Sequence, residues 1–322
     1  MPKTKRKIIW AIDPFEEKNE TQAHVIEMLR ELSADNTSTV TIDPVYVLTP
    51  DEYEPGAKLT ASWLKQIRPG VEAVLKQYIE DVCKELKVGG IGEPLLIVEK
   101  HPSLTRAVQA LSKCAIRMRA DTILVGTHAK TGLSRVFLGS FAETLLLHSQ
   151  TPVLVVGPHA RVFHQDQKGE KAANILFSTD FGPSSSFAFK KVIGIAKVLQ
   201  SKVVLFHCLP HAVKPFVQSG LYLLSGGYVS FPEYVTENEK RKRLLATKYV
   251  NLAKKHGVQV EVGFNLGNGN TADAIVEQAS IQGATMIAMA AESGPVSAAL
   301  IGSVTRQVVR SANCPVWVLR SE

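Results

Sequence analysis

The amino-acid sequence predicts an α/β fold made of two copies of one domain, each with a mostly parallel sheet. Three observations predict it. Short apolar, β-branched runs alternate with amphipathic helical patterns along all 322 residues, as parallel strands joined by crossover helices require. The order of these elements starts again at Asn174. Each half also carries an aspartate closing its first strand, a Gly-Ser pair 126 or 122 positions later (Asp13 to Gly139, Asp180 to Gly302), and a final Pro-Val strand.

In the first half, residues 8–12 form an apolar strand that ends at Asp13-Pro14, and 19–32 have helical periodicity. Residues 40–48 are a second strand, in which Pro44 predicts a bend or an edge. Residues 61–86 are a long helical pattern, and Pro69-Gly70 predicts a break with a true start near Val71. A third strand spans 94–98. The helix over 103–119 places Leu104, Ala107, Val108, Leu111 and Ala115 on one face. Strands at 122–126 and 152–156 flank a helix starting at Ser140. A polar, aperiodic stretch, 159–172, is the linker, so the domains are 1–158 and 173–322. The second half repeats the order with strands at 174–180, 202–208, 258–264, 285–289 and 315–319, and helices from about Ser184, at 231–256 and at 271–281.

A hydrophobic content of 45% and a charged content of 21% predict a soluble globular protein with sizeable cores. The net charge of +7 is spread out, apart from two basic runs at 3–7 and 239–243, read as a solvated tail and the exposed face of a helix. Without aromatic interleaving or a nucleic-acid module, neither run predicts a nucleic-acid partner. Cys83, Cys114, Cys208 and Cys314 have neither Cys-x-x-Cys nor zinc spacing, which predicts buried reduced thiols and a cytoplasmic location. The apolar run at 8–12 is too short for a signal-peptide core, and no 18-residue apolar run predicts a membrane span.

The most informative stretch runs from Thr122 to His148. Gly126 ends a buried strand; a polar loop with His128, Lys130 and Arg135 follows; Gly139-Ser140 opens a helix. A helix start presents unpaired N–H groups and a partial positive charge, which suits phosphate. Glycine at 139 lets a ligand approach the backbone. The alternative is a capping box, Ser140 with Glu143, which needs no ligand. In an open parallel sheet ligands bind at the carboxyl ends of strands where the winding reverses, which would bring Asp13, the loop after Gly126 and the Gly139 helix start to one cleft.

Asp13 at the end of the first strand, then Gly126-x-x-Ala129, nine residues and Gly139-Ser140, resembles the universal stress protein family, in tandem form. The resemblance covers nearly the whole chain and is most specific at Asn174-Ile-Leu-Phe-Ser-Thr-Asp180 and at 126–140. It implies a five-stranded parallel sheet of order 3-2-1-4-5 in each half and an intrachain pseudo-dimer through the last strands. A stress-response role and a homo-oligomer are expected from it. Some members of the family bind ATP and others do not. Carried over, Asp13 and Val47 would lie near base and ribose. Val125, Gly126, His128 and Ala129 would line the turn, and Gly139, Ser140 and Phe141 would hold the phosphates, with or without Mg²⁺. Ala129 stands where the family has its second glycine. If that position needs a left-handed backbone, alanine costs about 1–2 kcal/mol.

The second half departs further. Met289 and Glu292 replace the two glycines, the loop 290–301 has no basic residue, and Arg306 takes the place of Glu143. No ATP is expected there, and Asp180 becomes a turn residue. Residues 214–234 carry an apolar, aromatic insertion, read as a packing flap or as a lid for an apolar ligand or protein partner. Three function classes follow: a nucleotide-binding regulator using the first half, an interaction module without nucleotide, and a slow ATPase. The third has only Asp13 and His128 as candidate catalytic groups and no Walker loop.

Overall fold

The computed structural model describes residues 4–16, 19–33, 38–49, 61–86, 90–127, 139–161, 164–165, 171–209, 231–265, 270–291 and 302–320. Its strands are β1 (Thr4–Ala11), β2 (Ser38–Leu48), β3 (Leu95–Val98), β4 (Thr122–Gly126), β5 (Val153–Val156), β6 (His164–Gln165), β7 (Lys171–Ala172), β8 (Asn174–Ser178), β9 (Lys202–Cys208), β10 (Val260–Asn265), β11 (Met286–Ala291) and β12 (Val316–Arg320). Its helices are α1 (Glu20–Ser33), α2 (Ala61–Leu86), α3 (Leu104–Arg117), α4 (Ser140–His148), α5 (Pro183–Val198), α6 (Phe231–Lys255), α7 (Thr271–Ile281) and α8 (Ser303–Ser311). The chain divides into two compact units, Met1–Val162 with Ala291–Glu322, and Phe163–Ala290. The C-terminal helix and strand of the second repeat therefore group with the first repeat.

In the first unit β3-β2-β1-β4-β5 run in that order and parallel, the 3-2-1-4-5 order, with the winding reversal between β1 and β4. β12 adds to β5 antiparallel, Val316 opposite Val155 and Val318 opposite Val153, so the last strands of the two repeats pair with each other. The central strands carry fully buried Ile9, Ile42, Ile123 and Leu124; in β1 and β4 these lie in continuous apolar runs, as strands covered on both faces do. In the second unit β10-β9-β8-β11 are parallel around Phe177, Phe189 and Phe206, with the Phe177 and Phe189 rings 5.3 Å apart. Within 159–172, β6 and β7 form a two-residue antiparallel pair.

Local chemistry sets the helix ends. Ser103 caps α3 by accepting from the Arg106 N–H at 3.4 Å, and Asn270 caps α7 by accepting from the Ala272 N–H at 3.0 Å. Pro183 starts α5, where its missing N–H is lost at no cost.

Two sequence expectations change. α2 does not break at Pro69; it runs Ala61–Leu86 through it. The proline forfeits one bond, to the carbonyl four residues back. The helix is held on both sides of it, because Ile67 and Val71 pack with Leu75 on Tyr46, Leu48 and Leu96. β2 is not an edge strand, since it pairs with both β1 and β3. The Ile42 N–H points toward the β3 side, to Gly90 O, so the Pro44 nitrogen faces that side too. There Pro44 falls between the isolated bridge Ile42–Ile91 and the first β2–β3 pair, Val45–Leu95, where no ladder bond is lost.

Candidate functional site

The strand register assembles the carboxyl edge of the first unit. Ala11 of β1 lies opposite Val45 of β2 and Val125 of β4. Two residues further along come Asp13, just past the end of β1, Val47 in β2, and Thr127, just past the end of β4. Asp13 Oδ1 accepts from the Phe15 N–H at 2.9 Å, an Asx turn that fixes the carboxylate at the edge. Phe15 is 49% exposed and meets Tyr46 edge-on at 5.8 Å. Val47 and Val125 are buried, so at this edge they offer backbone rather than side chain.

Gly126 has a packing reason of its own. A Cβ there would lie 2.9 Å from Thr21 Cγ2 and 3.4 Å from Val25 Cγ2 of α1. Thr21 also donates its hydroxyl to the Thr127 carbonyl at 3.1 Å, and the Thr127 N–H donates to Val156 O at 2.9 Å. α1 therefore clamps the point where the chain leaves β4. His128 and Ala129 lie outside the described residues, as do Lys130 and Arg135.

Gly139, not Ser140, is the N-cap of α4. Its φ of −56° and ψ of 141° are open to any residue, no side chain caps the helix there, and the Glu143 N–H donates to Gly139 O at 2.9 Å. The capping-box alternative fails for this reason: Ser140 already lies inside the helix, and the Glu143 carboxylate goes to arginines of α8 instead of back to the cap. The N–H groups of Ser140, Phe141 and Ala142 precede the first intrahelical bond and so have no partner within the helix. Ser140 is exposed and Phe141 half-buried.

The second repeat uses the matching edge differently. Asp180 Oδ1 accepts from the Gly182 N–H at 2.7 Å and the Ser185 hydroxyl at 2.6 Å, the turn role expected of it. Burial pushes its carboxyl up, but these donors and the Lys242 charge outweigh that and hold it below the ordinary carboxylate value. Lys242 Nζ donates to the Asp180 carbonyl at 2.5 Å and lies 5.7 Å from the centre of the Phe181 ring; Arg243 lies over Phe264 at 4.6 Å and pairs with Glu239. Lys240, Arg241 and Arg243 are exposed, as expected of a solvated helix face, while Lys242 is half-buried and both Lys242 and Arg243 also reach a ring of an aromatic cluster. Sequence reading missed this cluster. Aromatic residues at 181, 249 and 264 are far apart in the chain, and only the register of β8, β9 and β10 together with the packing of α6 brings them together. Met289 is buried in β11 opposite Ser178. Glu292 and residues 210–230, most of the apolar insertion, lie outside the described residues.

His207 sits inside that cluster, its ring 5.2 Å from Phe181 and 6.0 Å from Phe264. Nδ1 is 2.6 Å from Thr179 O, so it carries the proton, and Nε2 is buried without a hydrogen-bond partner. Burial holds the imidazole below its ordinary value; the Thr179 bond and Asp180 pull it up and Lys242 pushes it down. Its neutral form is therefore favoured in the fold. The resulting stability is fully present above the unfolded value, about 6.5, and declines as pH falls below it. Denaturant unfolding at pH 7.5 and 5.5 is expected to show a loss of stability at the lower pH that His207→Phe reduces. An equal loss in both proteins would contradict it.

These features define a class: a duplicated, doubly wound α/β protein whose first repeat has its winding reversal between β1 and β4 and a helix, α4, that starts at glycine with no capping side chain. The profile of the universal stress protein family matches residues 5–157 and again 172–320, and the chain belongs to that family as a tandem member. Universal stress protein MJ0531 of Methanocaldococcus jannaschii is 28% identical over 153 residues, 47% of this chain and 81% of the relative. Universal stress protein MJ0577 of the same organism is 35% identical over 81 residues, 25% of this chain and 47% of the relative. Among solved structures, a universal stress protein from Archaeoglobus fulgidus DSM 4304 superposes with a TM-score of 0.60 at 16% identity, over 98% of this chain and 96% of the other. Another Archaeoglobus fulgidus universal stress protein, covered to 97% by 46% of this chain at 20% identity and a TM-score of 0.32, has been solved in complex with dAMP.

Proposed function

We propose that this universal stress protein is a regulatory protein that binds ATP or a related adenine nucleotide in its first repeat only, residues 1–158, and that the second, 173–322, does not. The bare start of α4 carries the reading. Gly139 presents amides without a capping side chain, in a conformation that needs no glycine, and at the carboxyl end of β1 Asp13 makes one hydrogen bond among the described residues. The contrast with Asp180, whose carboxylate oxygen is taken by Gly182 and Ser185 and whose carbonyl is taken by Lys242, supports the restriction to one repeat. Asp13 and Val47 would face base and ribose, Val125, Gly126, His128 and Ala129 the turn, and Gly139, Ser140 and Phe141 the phosphates, with or without Mg²⁺. A cytoplasmic location goes with this reading; no helix among the described residues is long and apolar enough to cross a membrane.

Titration of the purified chain with ATP and Mg²⁺ tests the reading. Saturable uptake is expected. No uptake would favour the alternative, an interaction module without nucleotide.

A further inference from the structure

The first unit includes α8 and β12, and these grip α4 at both ends. Arg310 Nη2 donates to Glu143 Oε1 and Oε2 at 3.2 and 3.3 Å, and Arg306 Nε lies 3.3 Å from Oε1. At the other end, Arg320 Nη2 donates to the Leu146 carbonyl and, at 3.0 Å, to the Leu147 carbonyl, which α4 leaves unpaired within itself. All three arginines come from the second repeat.

Glu143 occupies the first turn of α4, three residues beyond Ser140 and so about 5 Å further along the axis. A carboxylate there suits the helix dipole but repels any anion gathered on the same amides. Two guanidiniums against one carboxylate cancel that charge and leave one positive charge in surplus. The three side chains are each only 26–37% exposed, so water screens them incompletely. The two repeats differ at this very position: α8 begins at Gly302 with nearly the same cap geometry, φ −54° and ψ 145°, but holds Arg306 where α4 holds Glu143. The substitution that sets the second repeat apart supplies the counter-charge of the first.

We infer that Arg306 and Arg310 are positioning residues for the phosphate chain of the nucleotide, acting through Glu143: they neutralise it so that the α4 amides accept a polyphosphate. The inference rests on the nucleotide reading above. It gives the second repeat a task in binding even though it holds no nucleotide itself. Dependence on the two arginines grows with the charge of the phosphate chain.

The test is titration of the full chain with ATP and with AMP. Arg306→Gln with Arg310→Gln is expected to weaken ATP by about tenfold and AMP by about threefold or less, as a charge effect near a surface would. Adding Glu143→Gln is expected to bring ATP back to within about threefold of the parent, and the difference between ATP and AMP separates a charge effect from a structural defect, which would weaken both alike. Glu143→Gln alone, which keeps both arginines, is expected to hold or improve ATP binding. Unchanged ATP affinity in the double variant, equal losses for ATP and AMP, failure of Glu143→Gln to restore binding, or a weakened single variant would each overturn the inference while the nucleotide reading stands. A parent chain that takes up neither nucleotide would overturn both.

Discussion

Replacing Trp317 with alanine is expected to lower the unfolding free energy by about 3–5 kcal/mol. Trp317 is 6% exposed in β12, opposite Leu154 of β5, and its indole N–H donates to the Thr122 hydroxyl at 3.1 Å. The indole thus ties the last strand of the second repeat to the first residue of β4. Alanine would leave a cavity beside β5 and a buried hydroxyl short of its donor. Trp317→Phe separates the two contributions: it keeps most of the ring and loses the N–H, so about 1–2 kcal/mol is expected. Denaturant unfolding followed by far-ultraviolet circular dichroism reads both. A loss below about 1 kcal/mol for the alanine variant would mean that the β5–β12 junction contributes little to holding the repeats together.

Gly139→Asp is expected to separate stability from binding. The φ and ψ of Gly139 are ordinary for an N-cap, and aspartate is among the best N-cap residues, so α4 should be as stable as before or a few tenths of a kcal/mol more so. The new carboxylate would accept from the amides of the first turn and put a negative charge where the phosphates are proposed to lie. Nucleotide affinity is then expected to fall by at least about a hundredfold, roughly 2.7 kcal/mol. The matching change Gly302→Asp in α8, whose Cβ would meet nothing within 4 Å, is expected to leave affinity unchanged. Tight binding retained in Gly139→Asp would place the phosphates elsewhere.

Much of this architecture is legible in the chain because it depends on periodicity. Continuous apolar strands, the amphipathic face of α3 and the duplicated order are local patterns that survive into the fold. Pro69 misleads because packing of Ile67 and Val71 overrides a local breaker. The basic run at 240–243 is legible in part: charge predicts solvent and Lys240, Arg241 and Arg243 are exposed, but that Lys242 and Arg243 also meet a carbonyl and aromatic faces depends on residues distant in the chain. Arg306 is visible in the sequence as a departure from Glu143, but its meaning is not. That meaning needs α8 laid against α4, a contact between residues 163 positions apart. At the site itself, the carboxyl-edge placement of Asp13 and the glycine start of α4 follow from strand ends and helix starts. Gly126 carries a reason, the approach of α1, that no motif discloses.

Native mass spectrometry of the full chain with ATP and Mg²⁺ tests most directly whether a single nucleotide site exists. One nucleotide per chain, absent in Gly139→Asp, is the predicted result. Two per chain, or one that persists in Gly139→Asp, would contradict it.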